Sequence, residues 1–120
     1  MNKGKIKVLH LSSEKTWRGG EQQIAYLIEA SEHPDIKNAV AARTGSAFEK
    51  YCVAKNIMAF PVPFSGSVDI KSALKIKSIC SEYDIDLIHM HSSRSHSIAT
   101  LSATLGNTTP MILSRRAVFI

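Results

Sequence analysis

The sequence predicts an α/β domain: a Rossmann-like three-layer αβα sandwich with a mostly parallel sheet in the order 3-2-1-4-5. Three observations predict it. Short apolar runs of strand character alternate with segments of helical periodicity. The helical segments carry cap residues at their starts, and one ends on a glycine. Strands joined through helices pair in parallel by right-handed crossovers, which places helices on both faces of the sheet.

The elements follow in order. KIKVLHL, residues 5–11, reads as a buried first strand. EQQIAYLIEA, residues 21–30, puts Ile24, Leu27 and Ile28 at helical spacing. NAVAA, residues 38–42, is a short second strand. SAFEKYCVAKN then opens with Ser46 and Glu49 three positions apart, the spacing of a capping box. IMAF, residues 57–60, is a third strand, and PVPFSGS after it reads as a loop because its prolines and glycine break regular structure. DIKSALKIKSICSEY, residues 69–83, has Asp69 as N-cap and an apolar face of Ile70, Ala73, Leu74, Cys80 and Tyr83. IDLIHM, residues 85–90, is the fourth strand; residues 94–106 form a helix closed by Gly106; MILS, residues 111–114, is the fifth strand.

Composition narrows the class. The 120 residues suffice for one modest domain, and 44% hydrophobic content supports a core. Charged residues at 21% without low-complexity runs argue against disorder. No apolar run reaches the roughly 18 residues of a membrane span, and MNKGKIK leads straight into a strand without a secretory apolar region. Cys52 and Cys80 fall on helices at a spacing that fits no zinc or redox motif, which points to buried free thiols in a reducing, cytoplasmic compartment. The net charge of +5 comes from 15 Lys and Arg against 10 Asp and Glu. Lys3, Lys5, Lys7 and Lys15 cluster near the start, while Lys71, Lys75 and Lys77 share a helix. Such basic faces are solvated surface first, and beyond that favour phosphorylated ligands or peripheral contact with an anionic membrane. Nucleic acid is not expected: aromatic residues are 7% of the chain and form no stacking pattern.

Ligands of parallel sheets bind beyond the strand C-terminal ends. The loops there span residues 12–20, 43–46, 61–68, 91–95 and 114–117. They hold Trp17, Arg18, Gly19, Gly20, Arg43, His91, Ser92, Ser93, Arg94, Arg115 and Arg116, with Glu14 among few acids. A basic, glycine-containing rim suits a phosphate or carboxylate, and paired glycines at a helix start let backbone N–H groups approach it.

Several chemistries are excluded. The first turn is not G-x-G-x-x-G, and the second strand ends in Arg43 rather than an acid for a ribose hydroxyl, so no dinucleotide cofactor is expected. There is no P-loop, no G-x-S-x-G elbow and no H-E-x-x-H. His89 and His91 share one strand face and could hold a metal as a pair, but the sequence offers no evident third ligand nearby, and no metal is expected.

Two blocks resemble a family. KVLHLSS…RGGEQQIAYLIEA is similar to the opening of family-four glycosyltransferases of the two-domain GT-B kind, and DIDLIHMHSSRSHSIATLSATLGNTTPMILSRR resembles their D-[VIL]-[VIL]-H-x-H strand, small-residue helix and next strand. The resemblance runs over most of residues 5–116. It implies an acceptor-binding N-terminal domain of a retaining enzyme that moves a sugar from a nucleotide-sugar donor to a sugar or lipid-linked hydroxyl acceptor. It implies that Gly19 and Gly20, with Arg18, Arg94 and Arg115, face the donor diphosphate or the acceptor, and that His91 lies at the reacting centre. His89, two residues deeper in the sheet, reads as a buried neighbour. No cofactor follows from it. Glu21 and Glu29 match the E-x7-E spacing of the family's donor domain but lie on the first helix, which makes the match a coincidence. Family members are much longer, so residues 1–120 are expected to be a single, incomplete domain, inactive alone and prone to pair as a homodimer through uncovered apolar surface. Two other readings stay open: a GT-B-like sugar-nucleotide epimerase fragment and a non-catalytic ligand-binding module.

Overall fold

A computed structural model describes residues 6–17, 19–65 and 69–114. The chain runs β1 (Ile6–Ser12), α1 (Gly19–Ala30), β2 (Ile36–Arg43), α2 (Ala47–Ala54), β3 (Met58–Val62), α3 (Ile70–Glu82), β4 (Leu87–Met90), α4 (Ser93–Thr104) and β5 (Met111–Leu113). The five strands form one sheet in the order β3-β2-β1-β4-β5, and every pairing in it is parallel. This is the predicted three-layer arrangement.

The two faces of the sheet are filled by different helices. Leu9, Leu11, Ala39, Ala41, Ile88 and Met90 point to one face, where Ala73, Ile76 and Ile79 of α3 and Ile98 and Ala99 of α4 pack on them. Val40 and Ala42 point to the other, against Ile24 and Ala25 of α1 and Phe48 and Cys52 of α2. The alternation follows from the two-residue period of a strand. On this second face the β4–β5 end is open: Ile112 of β5 is 49% exposed.

Several boundaries differ from the sequence reading, each for a local reason. Gly19 and Gly20 form the first turn of α1 instead of preceding it. Pro61 lies inside β3, paired with Ala42, although PVPFSGS reads as a loop. β3 is an edge strand, so the missing proline N–H costs no ladder bond. Ser46 caps α2 by accepting from the Glu49 N–H at 3.2 Å, but the Glu49 carboxylate bonds the Gly45 N–H at 2.7 Å, because the Ser46 N–H already donates to the Arg43 carbonyl. The reciprocal box forms instead at α4, between Ser92 and Ser95. Gly106, just past α4, has φ +112, and a Cβ there would lie 3.3 Å from Lys77 Nζ.

The apolar face of α3 is also rotated from expectation. Ala73 and Cys80 are buried, but Ile70, Leu74 and Tyr83 are exposed, and Ser72, Ile76 and Ile79 complete the stripe. A buried serine is tolerated because its hydroxyl donates to Asp69 at 2.6 Å and accepts from the Phe64 N–H at 2.8 Å. Both cysteines are free and buried, as expected. Burial, with Glu49 nearby, pushes the Cys52 thiol up to about 12. Burial raises Cys80 as well. Neither thiol is ionised at neutral pH.

Candidate functional site

In the order 3-2-1-4-5 the chain leaves β1 toward β2 and leaves β4 toward β5. The connections diverge between these two neighbours, so a crevice opens beyond the C-terminal ends of β1 and β4. α1 and α4 both start at this edge. Gly19 and Gly20 supply the first turn of α1, and Ser92 caps α4. Ser13 and Ser92 join the two loops through their hydroxyls at 3.0 Å.

Three histidines converge just below this edge. His10 pairs in register with His89 across β1 and β4, and His91 follows two residues on, so the three rings share one face of the sheet. Ring centroids are 5.4 Å apart for His10–His89, 5.6 Å for His10–His91 and 4.1 Å for His89–His91. His10 is the deeply buried member, at 3% exposure, whereas His89 is half-buried. The expectation that His89 is the buried neighbour is therefore corrected. Both strands are interior to the sheet, but β4 adjoins the short edge strand β5, whose Ile112 on this face is exposed, so His89 lies toward the open end while His10 lies beside the covered β2.

A chain of hydrogen bonds fixes which nitrogen of His10 carries the proton. Ser31 donates its hydroxyl to the Leu27 carbonyl at 2.6 Å, so its oxygen accepts from Asn38 Nδ2 at 3.0 Å. That turns Asn38 Oδ1 toward His10 Nε2, at 3.0 Å, and a carbonyl oxygen can only accept. His10 Nε2 is therefore the N–H, and in the neutral ring Nδ1 keeps its lone pair. Burial lowers the pKa of His10 to about 4, opposed by the Asn38 bond and reinforced by His89, so the neutral ring is the form at pH 7. His10 Nδ1 faces His91 Nε2 at 3.4 Å. Burial also lowers the pKa of His89, whose Nε2 bonds the Ser114 hydroxyl.

Besides the Ser13–Ser92 bond, side-chain contacts to α1 and α2 anchor the first loop. Ser12 donates to the Glu21 carboxylate at 3.1 Å, and both residues are buried. Trp17 donates its indole N–H to Gln22 at 3.0 Å and packs against Phe48 and Tyr51. Of the predicted site residues, Gly19, Gly20 and His91 border the crevice, and Arg94 stands half-buried in the first turn of α4. Arg18 and Arg115 lie outside the described residues. Sequence reasoning missed His10, Asn38 and Glu21. The predicted strand order was itself the signal for His10, since it sets β1 beside the H-x-H strand. A separate concavity between α1 and α2, lined by Ile28, Tyr51, Cys52 and Ile57, opens at the other end of the strands; of these residues only Asn38 reaches its wall.

No protein-family model and no curated protein matches the chain. Two crystal structures of the C-terminal domain of a hydrogenase from Pyrococcus furiosus are similar to it. One, 15% identical, superposes with a TM-score of 0.50 over 96% of both chains. The other, also 15% identical, gives 0.46 over 95% of both. At this identity the likeness concerns the Rossmann-like fold alone.

Proposed function

We propose that this chain is the acceptor-binding part of a glycosyltransferase that moves a sugar from a nucleotide-sugar donor to a hydroxyl acceptor. The observation that carries the reading is the meeting of two features at the divergence point of the sheet: the glycine-started N-terminus of α1 and the strand-end His91 border one crevice. The N–H groups of a helix start and the positive end of its dipole favour an anion there, as a donor diphosphate would be. His91, just past β4, can both donate and accept a hydrogen bond, which suits holding a sugar hydroxyl near the reacting carbon. Stabilising the leaving diphosphate is the main electrostatic demand of such a transfer. In this reading the nucleotide end of the donor is held by a second domain.

Backbone amide NMR of the chain, titrated with inorganic pyrophosphate, nucleoside diphosphate sugars and phospho-sugars, tests this. Shifts should centre on Gly19, Gly20 and the His91–Arg94 segment. Shifts confined to the α1–α2 concavity, or none at millimolar ligand, would sink the reading.

A further inference from the structure

We propose that His10, His89 and His91 form a binding site for a divalent transition-metal ion, Zn²⁺ or Co²⁺ in particular. The inference goes beyond the reading above and does not depend on it. One ring nitrogen from each of the three lies within 4.8 Å of the others, and among the described residues no carboxylate joins the group. The closest pair, His10 Nδ1 and His91 Nε2, is 3.4 Å apart. Two imidazole nitrogens on a tetrahedral Zn²⁺ at bonds of about 2.0–2.1 Å are separated by about 3.4 Å. This pair is therefore already set at the spacing that one ion imposes, and the His89 nitrogen, which lies within 4.8 Å of the others, has to close by at most about 1.4 Å to reach it.

The surrounding bonds have the polarity a metal site requires. A ligating histidine usually donates its second ring N–H to a fixed acceptor, which sets the tautomer and aims the lone pair. The Leu27–Ser31–Asn38 chain does this for His10, holding Nε2 as the N–H and leaving Nδ1 as the donor to the ion. Ser114 is in place to accept from His89 Nε2. His91 then carries its proton on Nδ1 and gives Nε2 to the ion. Three neutral nitrogens without a carboxylate select Zn²⁺, Co²⁺, Ni²⁺ or Cu²⁺ over Mg²⁺ and Ca²⁺, which prefer oxygen. A three-histidine set leaves the fourth position for water or an anion, on the side where β4 and β5 lie open.

The test uses the untagged chain, stripped with a chelator and titrated with CoCl₂ while the visible d–d absorption is recorded. One Co²⁺ per chain should bind, with a tetrahedral or five-coordinate spectrum that Zn²⁺ bleaches. His10→Ala and His91→Ala should each weaken binding at least 100-fold, and Asn38→Ala, which touches no ion, by about 10- to 100-fold. The double variant His33→Ala/His96→Ala removes the two histidines outside the cluster and should leave the titration unchanged. Circular dichroism checks that each variant is folded, and His10→Asn or His91→Asn substitutes where the alanine variant is not. No Co²⁺ spectrum at millimolar metal overturns the proposal. So does binding that survives in folded His10→Ala and His91→Ala but is lost in the double variant.

Discussion

His10 Nδ1 and His91 Nε2 meet at 3.4 Å although 81 residues separate them in the chain. The contact exists because β1 and β4 are neighbours in the sheet, and it is directional because Asn38 holds the opposite edge of the His10 ring. At neutral pH in metal-free buffer, His10 should be the Nε2–H tautomer. Long-range ¹H–¹⁵N NMR distinguishes the two nitrogens, and an Nδ1–H tautomer at His10 would contradict the bond chain through Ser31 and Asn38.

The same burial makes stability depend on pH. His10 has a pKa of about 4 when folded, against 6.5 for a free histidine. The unfolded chain therefore binds the extra proton between these values and the native state does not. Stability is complete above about pH 6.5, falls as pH drops toward 4, and levels off below it, with a loss on the order of 3 kcal/mol. His89 and His91 face the ring, and a positive charge on either opposes protonation of His10 further. Urea denaturation of the metal-free chain at pH 7.5, 5.5 and 4 should show the decline, and His10→Asn should flatten much of it. Equal slopes for the two proteins would remove His10 as the cause.

The N-cap of α3 is a second concentrated point. Burial alone would raise the Asp69 carboxyl, but bonds from the Ser72 hydroxyl and N–H and from the Ser65 N–H and hydroxyl outweigh it and hold the pKa well below the usual range. Asp69→Ala should destabilise the fold by about 2 kcal/mol, at the upper end for a lost cap, because it also strands the buried Ser72 hydroxyl. The carboxylate's share is present above the unfolded carboxyl pKa of about 4 and disappears as pH falls toward the folded value. The gap between wild type and variant should thus narrow in acid. A gap that stays constant to pH 2 would show that the charge is not what the cap uses.

Much of this fold is legible in the sequence, because alternation and caps are local signals. The strand order followed from connectivity, and Asp69, Ser46 and Gly106 marked element ends from their own chemistry. The face of α3 was not legible: Ile70 and Leu74 are apolar yet exposed, and Ser72 is polar yet buried, since an Asp69 partner one turn back decides the matter. Pro61 within β3 was hidden for a similar reason, as only edge position makes it acceptable. For the site, His91 could be placed at the crevice from its strand-end position. The partnership with His10 required the register of β1 against β4, which no single segment encodes.

Glu21 shows what an apparently coincidental residue can do. It is 3% exposed, in the first turn of α1, and accepts the buried Ser12 hydroxyl at 3.1 Å. Its charge lies at the positive end of the α1 dipole, which favours it there. Glu21→Ala leaves the Ser12 hydroxyl without this acceptor and should cost about 1–3 kcal/mol. Glu21→Gln keeps an acceptor oxygen of the same reach and gives up the charge, whose attraction to the helix dipole is worth about 0.3–1 kcal/mol. The ranking Ala worse than Gln, read from thermal or urea midpoints, therefore separates hydrogen bonding from charge. The tie also fixes the start of α1 relative to the end of β1, so the Ala variant should weaken pyrophosphate-induced shifts at Gly19 and Gly20 while Gln preserves more of them. If Gln proved as damaging as Ala, the carboxylate charge itself, rather than the acceptor for Ser12, would be what holds this corner of the crevice together.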